Sequence, residues 1–178
     1  MKLRSLSLIA CLLLSAPLHA AEKYEEIKWE LLVPKGWDPA RDFKALDLGK
    51  LDDADPRATE ALQKLKEMWD QAPTEPALAG KKIRLPGFVI PLERNKAEQV
   101  LEFLLVPYFG ACIHTPPPPA NQIIHAVSTK PLTKMRTMDT VWVTGTLTLT
   151  RSETSWGNAG YRLTVDKVTP YEAPPPKK

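Results

Sequence analysis

Three side chains that favour borderline or soft metal ions fall within fourteen residues of one another: Cys112, His114 and His125. A thiol and two imidazoles are what zinc or copper selects from the side-chain inventory. Cys112 and His114 are separated by one residue. In extended backbone both point to the same side, with Cβ atoms roughly 7 Å apart. Metal–sulfur and metal–nitrogen bonds of about 2.3 and 2.0 Å then let both reach a single ion. The run Pro116-Pro117-Pro118-Pro119 follows and reads as polyproline II, which rises about 3.1 Å per residue. His125 supplies a third corner if this loop folds back over Cys112. Three protein ligands leave a fourth position open, whereas closed structural zinc sites take four. An open site serves catalysis or the transfer of metal.

Other chemistry is available to the same residues. Catalysis at zinc needs a general base beside the bound water, and no His-Glu-x-x-His arrangement supplies one. Glu93 and Asp139 are the nearest acidic residues in sequence, and nothing ties them to the site. Copper is an alternative to zinc, with Met135 or Met138 as a soft ligand, although Cys-x-His is not the usual blue-copper loop. A Cys–His nucleophilic pair, oriented by Asn121 or Gln122, would need a thiol of lowered pKa. Such a thiol is easily oxidised outside the cytoplasm, so the expectation is a protein that is not an enzyme. Taken singly, Cys112 equally suits a small buried hydrophobe. His125 shares a strand face with Ile123 and Val127, as a hydrogen-bonded core histidine would.

The ends of the chain sharpen the set. Lys2 and Arg4, then the apolar Leu6 to Leu14, then Leu18-His19-Ala20, read as a secretory signal cleaved after Ala20. The apolar run is too short for a membrane span of about 20 residues. Leu8-Ile9-Ala10-Cys11 resembles a lipobox, but the chain stays apolar after the cysteine, where a lipoprotein would turn polar. Cleavage removes Cys11 and His19, so Cys112, His114 and His125 become every cysteine and histidine the mature protein owns. A single cysteine in an oxidising compartment has no internal disulfide partner, so burial or ligation is its expected fate. Loss of Lys2 and Arg4 lowers the formal net charge from +3 to +1. No cluster of basic residues marks a nucleic-acid surface.

The elements that must position these residues are mainly strands. The 178-residue chain suits one domain, and proline is abundant at 18 residues, about twice the usual share of roughly 5%. Residues 21–78 read as an N-terminal arm with one helix. Asp55 caps it, Pro56 fits its first turn, and Ala58, Leu62, Leu65 and Trp69 form an apolar stripe. The arm is expected to cover the domain that follows, residues 79–171. There, strands are predicted at Lys82 to Leu92, Leu101 to Tyr108, Gln122 to Ser128, Thr140 to Thr150 and from Tyr161. A short helical piece is predicted at Ala97 to Val100 and a polar loop at Ser152 to Gly160. Val141, Val143, Gly145, Leu147 and Leu149 should face one way, and Trp142 with the threonines the other. Five strands with glycines inside two of them predict a small OB-like barrel, with a β-sandwich as the alternative. Residues 172–178, ending Pro174-Pro175-Pro176-Lys177-Lys178, read as a disordered tail.

Three segments, Ile27-Lys28-Trp29-Glu30-Leu31-Leu32, Pro86-Gly87-Phe88-Val89-Ile90-Pro91-Leu92 and above all Ala111 to Gln122, resemble a family of bacterial periplasmic proteins of unknown function. The resemblance implies a setting beside zinc-responsive ABC transporter components and a histidine-rich periplasmic metal binder; it carries no activity. The expectation is therefore a periplasmic zinc-binding accessory protein working with an ABC transporter or another periplasmic metal binder. Pro116, Pro117, Pro118, Pro119, Asn121 and Gln122 are its expected partner surface. The competing expectation is a non-metal interaction module that meets an envelope partner through the proline loop and the Trp142 face.

Overall fold

The computed structural model describes residues 23–38, 55–112 and 117–172. The expected signal peptide with its lipobox, His114, Pro116 and residues 173–178 lie outside them.

Alternation in the chain translates directly into a barrel wall. Strand β5 (Thr140–Thr148) buries Val141, Val143, Gly145 and Leu147 and leaves the intervening positions half-buried. Its neighbours are β2 (Lys82–Arg94) on one side and β8 (Tyr161–Pro170) on the other. With β3 (Val100–Val106) and β4 (Ile124–Leu132) the strands close in the order β2-β3-β4-β8-β5, back to β2. Only β4 and β8 run parallel within this ring. A closed five-stranded barrel of mainly β structure, consistent with a small OB-like barrel, is the fold expected from the sequence. A two-residue strand β1 (Glu25–Glu26) adds in parallel to β2 outside the ring.

Two glycines make the closure possible. A Cβ on Gly145 would lie 2.2 Å from the Thr164 carbonyl oxygen, and the β5–β8 register shifts between Thr144 and Gly145. One on Gly87 would meet Leu105 Cγ at 2.7 Å. In each case, missing side-chain volume lets neighbouring strands bend toward each other. The interior is filled by Ile83, Leu85, Phe103, Leu105, Ile124, Leu147, Tyr161 and Leu163 with their neighbours. Leu149, expected to face inward, lies past the end of β5 and is 37% exposed.

The arm is partly core. Ile27 and Leu32 are buried in the barrel cluster, and Trp29 packs beside them from a short 3-10 helix (Trp29–Leu32). The helix α1 (Pro56–Asp70) forms where predicted, with the Asp55 carboxylate accepting from the Arg57 amide. Its apolar stripe does not cover the barrel: Ala61 is its buried residue, and Leu62 is 60% exposed. Arg151 holds its far end by donating to the carbonyls of Asp70 and Ala72.

Two predicted elements differ. Residues 95–99 form a hairpin turn instead of a helical piece, because the Asn95 side chain accepts from the amides of Ala97 and Gln99. That local capping outcompetes a helical turn. The expected loop at 152–160 contains a small hairpin, β6 (Ser152–Thr154) and β7 (Gly157–Ala159), turned by Thr154, which accepts from the Trp156 amide and donates to the Gly157 carbonyl.

Candidate functional site

The outward faces of β2 and β3 carry a second apolar cluster beyond the barrel wall. Ile90, Leu104, Val106, Ala111, Ile123 and Ala159 form it, with Phe88, Leu92, Cys112 and Met138 packed around them. Even-numbered residues of β2 and β3 point out here because odd-numbered ones fill the barrel. Ala159 of the β6–β7 hairpin, Ala111 and Cys112 before the proline run and Ile123 after it pack together over this cluster. A Cβ on Gly157 would touch Pro117 at 3.0 Å and Ile123 at 3.2 Å, so the loop rests directly on the hairpin.

Cys112 sits at the lip of this cover. Its φ of 65° is left-handed, a conformation that costs a non-glycine residue roughly 1–2 kcal/mol. It follows Gly110, at φ 83°, whose amide donates to the Met138 thioether sulfur at 3.3 Å. Met138 is itself tied to β2 by its amide, 2.7 Å from the Val89 carbonyl oxygen. A thiol and a thioether therefore border the same apolar patch. The thiol is half-buried, and desolvation pushes its pKa up to about 11. This direction is opposite to what a nucleophilic cysteine requires.

The other end of the proline run is anchored inward. Pro118 is buried, and a short 3-10 helix (Ala120–Gln122) leads into β4. Asn121 is fully buried, and its amide donates to the Pro73 carbonyl at 3.0 Å; its side-chain oxygen has no partner among the described residues. Gln122 donates to the Trp29 carbonyl at 3.0 Å. Both were expected at a partner surface and instead bracket the loop to the N-terminal arm. Pro117 and Pro119 are half-buried. The sequence showed that these residues were polar, but not which carbonyls they serve, since Pro73 and Trp29 are 48 and 93 residues away.

His125 lies on the outward face of β4, opposite Leu104. It is buried, and both ring nitrogens are engaged. Nδ1 is 3.0 Å from the Ser152 hydroxyl, and Nε2 is 2.8 Å from the Glu102 carboxylate. To ligate a metal, His125 would have to release one of them. Among the described residues, no three of His, Cys, Asp and Glu surround a common point. His114 lies outside those residues. Sequence reading had no signal for Ser152 or Glu102, which are brought to His125 by the hairpin and by β3.

The model of a family described as a protein of unknown function, DUF3299, matches residues 29–170. No curated protein matches the chain. Among solved structures, the chain is similar to a DUF3299 family protein from Pseudomonas aeruginosa PAO1. The two are 36% identical, over 86% of this chain and 99% of the other, with a TM-score of 0.66.

Proposed function

This chain belongs to the DUF3299 family, whose description assigns no activity, and from that premise we propose a zinc-binding accessory protein of the bacterial periplasm. Cys112 and His114 supply the metal-binding pair, and an ABC transporter component or a second periplasmic metal binder completes the coordination during transfer. The supporting observation is Cys112 itself. It is half-buried on a left-handed turn, packed around the same apolar cluster as Met138, two residues from a histidine. Such a pair leaves coordination positions open, as a carrier needs. His125 belongs to this set only at the expense of its bond to Ser152 or Glu102. Among the described residues, no helix is long and apolar enough to cross a membrane.

Copper(I) is the second reading, favoured by Met138, because thiolate and thioether together suit that ion. Metal analysis of the purified chain after exposure to each ion tests both. The expected result is stoichiometric zinc in wild type and in His125→Asn, and loss in Cys112→Ser and His114→Ala. Equal, negligible zinc in all four would sink the zinc reading; retention of copper alone would replace it with the second.

A further inference from the structure

At one end of the barrel β4 ends at Leu132, β5 begins at Thr140 and β8 ends at Pro170. A groove of about 380 Å³ lies there, against the turn that joins β4 to β5. Barrel mouths are a common place for small-molecule sites, and the volume suits one. The floor of the groove is the outer end of the barrel core. Met135 and Val141 belong to the core cluster, and Leu132 and Val168 pack against it. Thr133, Lys134, Asp139 and Thr169 supply its polar lining.

The turn over residues 133–139 is tied down at several points. The Arg94 guanidinium donates to the Met135 carbonyl at 2.7 Å, and the Arg136 amide donates to Asp139 Oδ2 at 2.8 Å. The Asp139 carbonyl accepts from the Val89 amide at 3.1 Å. Lys134 and Met138 are left-handed, at φ 60° and 67°, a conformation that non-glycine residues keep only where their surroundings impose it. Among the described residues, the Lys134 ammonium and the Asp139 carboxylate form no ion pair, with each other or with a third group. Asp139 Oδ1 and the hydroxyls of Thr133 and Thr169 have no hydrogen-bond partner among those residues. Arg136, the other charged residue of the turn, does not line the groove. One cation and one anion therefore border an apolar floor without neutralising each other. A lining of that kind favours a ligand with both charges on an apolar body over an anion or a cation alone.

We propose that this groove binds a free amino acid with an apolar side chain. The ligand carboxylate meets Lys134, with the threonine hydroxyls as further donors, and the ligand ammonium donates to Asp139 Oδ1. The apolar side chain rests on Leu132, Met135, Val141 and Val168. This goes beyond the metal reading and does not depend on it, since neither Cys112 nor His125 lines the groove.

The test titrates the full chain with L-leucine, followed by calorimetry and by amide shifts in nitrogen-15 spectra. L-leucine should bind saturably, with the shifts centred on residues 132–135, 139–141 and 168–169. Three probes each lack one feature: glycine the apolar body, 4-methylpentanoate the ammonium and 3-methylbutylamine the carboxylate. Each should bind about ten-fold or more weakly than L-leucine. Asp139→Asn can still accept from the Arg136 amide, so the turn is kept. It should weaken L-leucine by about ten-fold and leave 4-methylpentanoate unchanged. Lys134→Gln should likewise weaken L-leucine and leave 3-methylbutylamine unchanged. No saturable binding of L-leucine, or shifts centred elsewhere, overturns the inference. Binding of 4-methylpentanoate as tight as that of L-leucine, or an Asp139→Asn variant that binds L-leucine as wild type does, overturns the ammonium contact and with it the assignment to an amino acid.

Discussion

Tyr161→Phe removes one oxygen atom at the point where three parts of the chain meet. The Tyr161 ring is fully buried at the start of β8. Its hydroxyl donates to the Leu32 carbonyl at 2.7 Å and accepts from the Glu75 amide at 2.6 Å. Phenylalanine keeps the ring packing and leaves both backbone groups without their partner. The Leu32 carbonyl is in the interior, where an orphaned acceptor costs about 1–3 kcal/mol. The Glu75 amide is only partly buried, so water recovers some of its loss. The sum is about 2–4 kcal/mol, a large share of the roughly 5–15 kcal/mol that holds a domain together. For a chain of this size it lowers Tm by about 5–15 °C. Urea unfolding followed by tryptophan fluorescence reads the effect as a lower midpoint with an unchanged m-value. Hydrogen exchange should locate the loosening at residues 27–33 and 75. A loss below about 0.5 kcal/mol, or exchange unchanged in the arm, would refute the clamp.

Further outcomes follow from the same geometry. Gly145→Ala should cost about 3 kcal/mol or more, because the new Cβ would lie 2.2 Å from the backbone oxygen of Thr164. Gly36→Ala should cost only the left-handed penalty of about 1–2 kcal/mol, since nothing lies within 4 Å of it; denaturant melts of the two variants compare them directly. In metal-free protein, alkylation of Cys112 should stay slow at neutral pH and rise toward a midpoint near pH 11; a midpoint near 9 would show a thiol that burial leaves untouched. Burial also raises the Tyr161 pKa from 10.0 to about 12. The folded state therefore disfavours both ionised forms. Stability should be unaffected by them below about pH 9, falling between 9 and 11 for Cys112 and between 10 and 12 for Tyr161. Cys112→Ser and Tyr161→Phe should each flatten their own part of that alkaline slope in melts taken across pH 8 to 12.

Where alternation was strong, the sequence was sufficient. Val141, Val143, Gly145 and Leu147 face the barrel interior as expected, because strand period and burial are the same fact seen twice. Glycines 87 and 145 marked the close approaches, although the group each accommodates, the Leu105 side chain and the Thr164 carbonyl, belongs to another strand. The start of α1 was legible from Asp55 and Pro56; what its stripe packs against was not, since amphipathicity names a face and no partner. The turn at 95–99 and the hairpin at 152–159 were decided by Asn95 and Thr154, single side chains bonding nearby backbone. At the site, the pairing of His125 with Glu102 and Ser152 spans 23 and 27 residues, and no local pattern encodes such a meeting. Asn121 and Gln122 were visible as polar residues beside a proline run, and their inward direction depends on where the arm lies.

Cobalt substitution tests the central claim most directly. Cobalt(II) added to the metal-free chain should give an intense near-ultraviolet thiolate charge-transfer band, displaced by one equivalent of zinc and absent in Cys112→Ser. A cobalt spectrum that is the same with and without the Cys112 thiol would contradict the account.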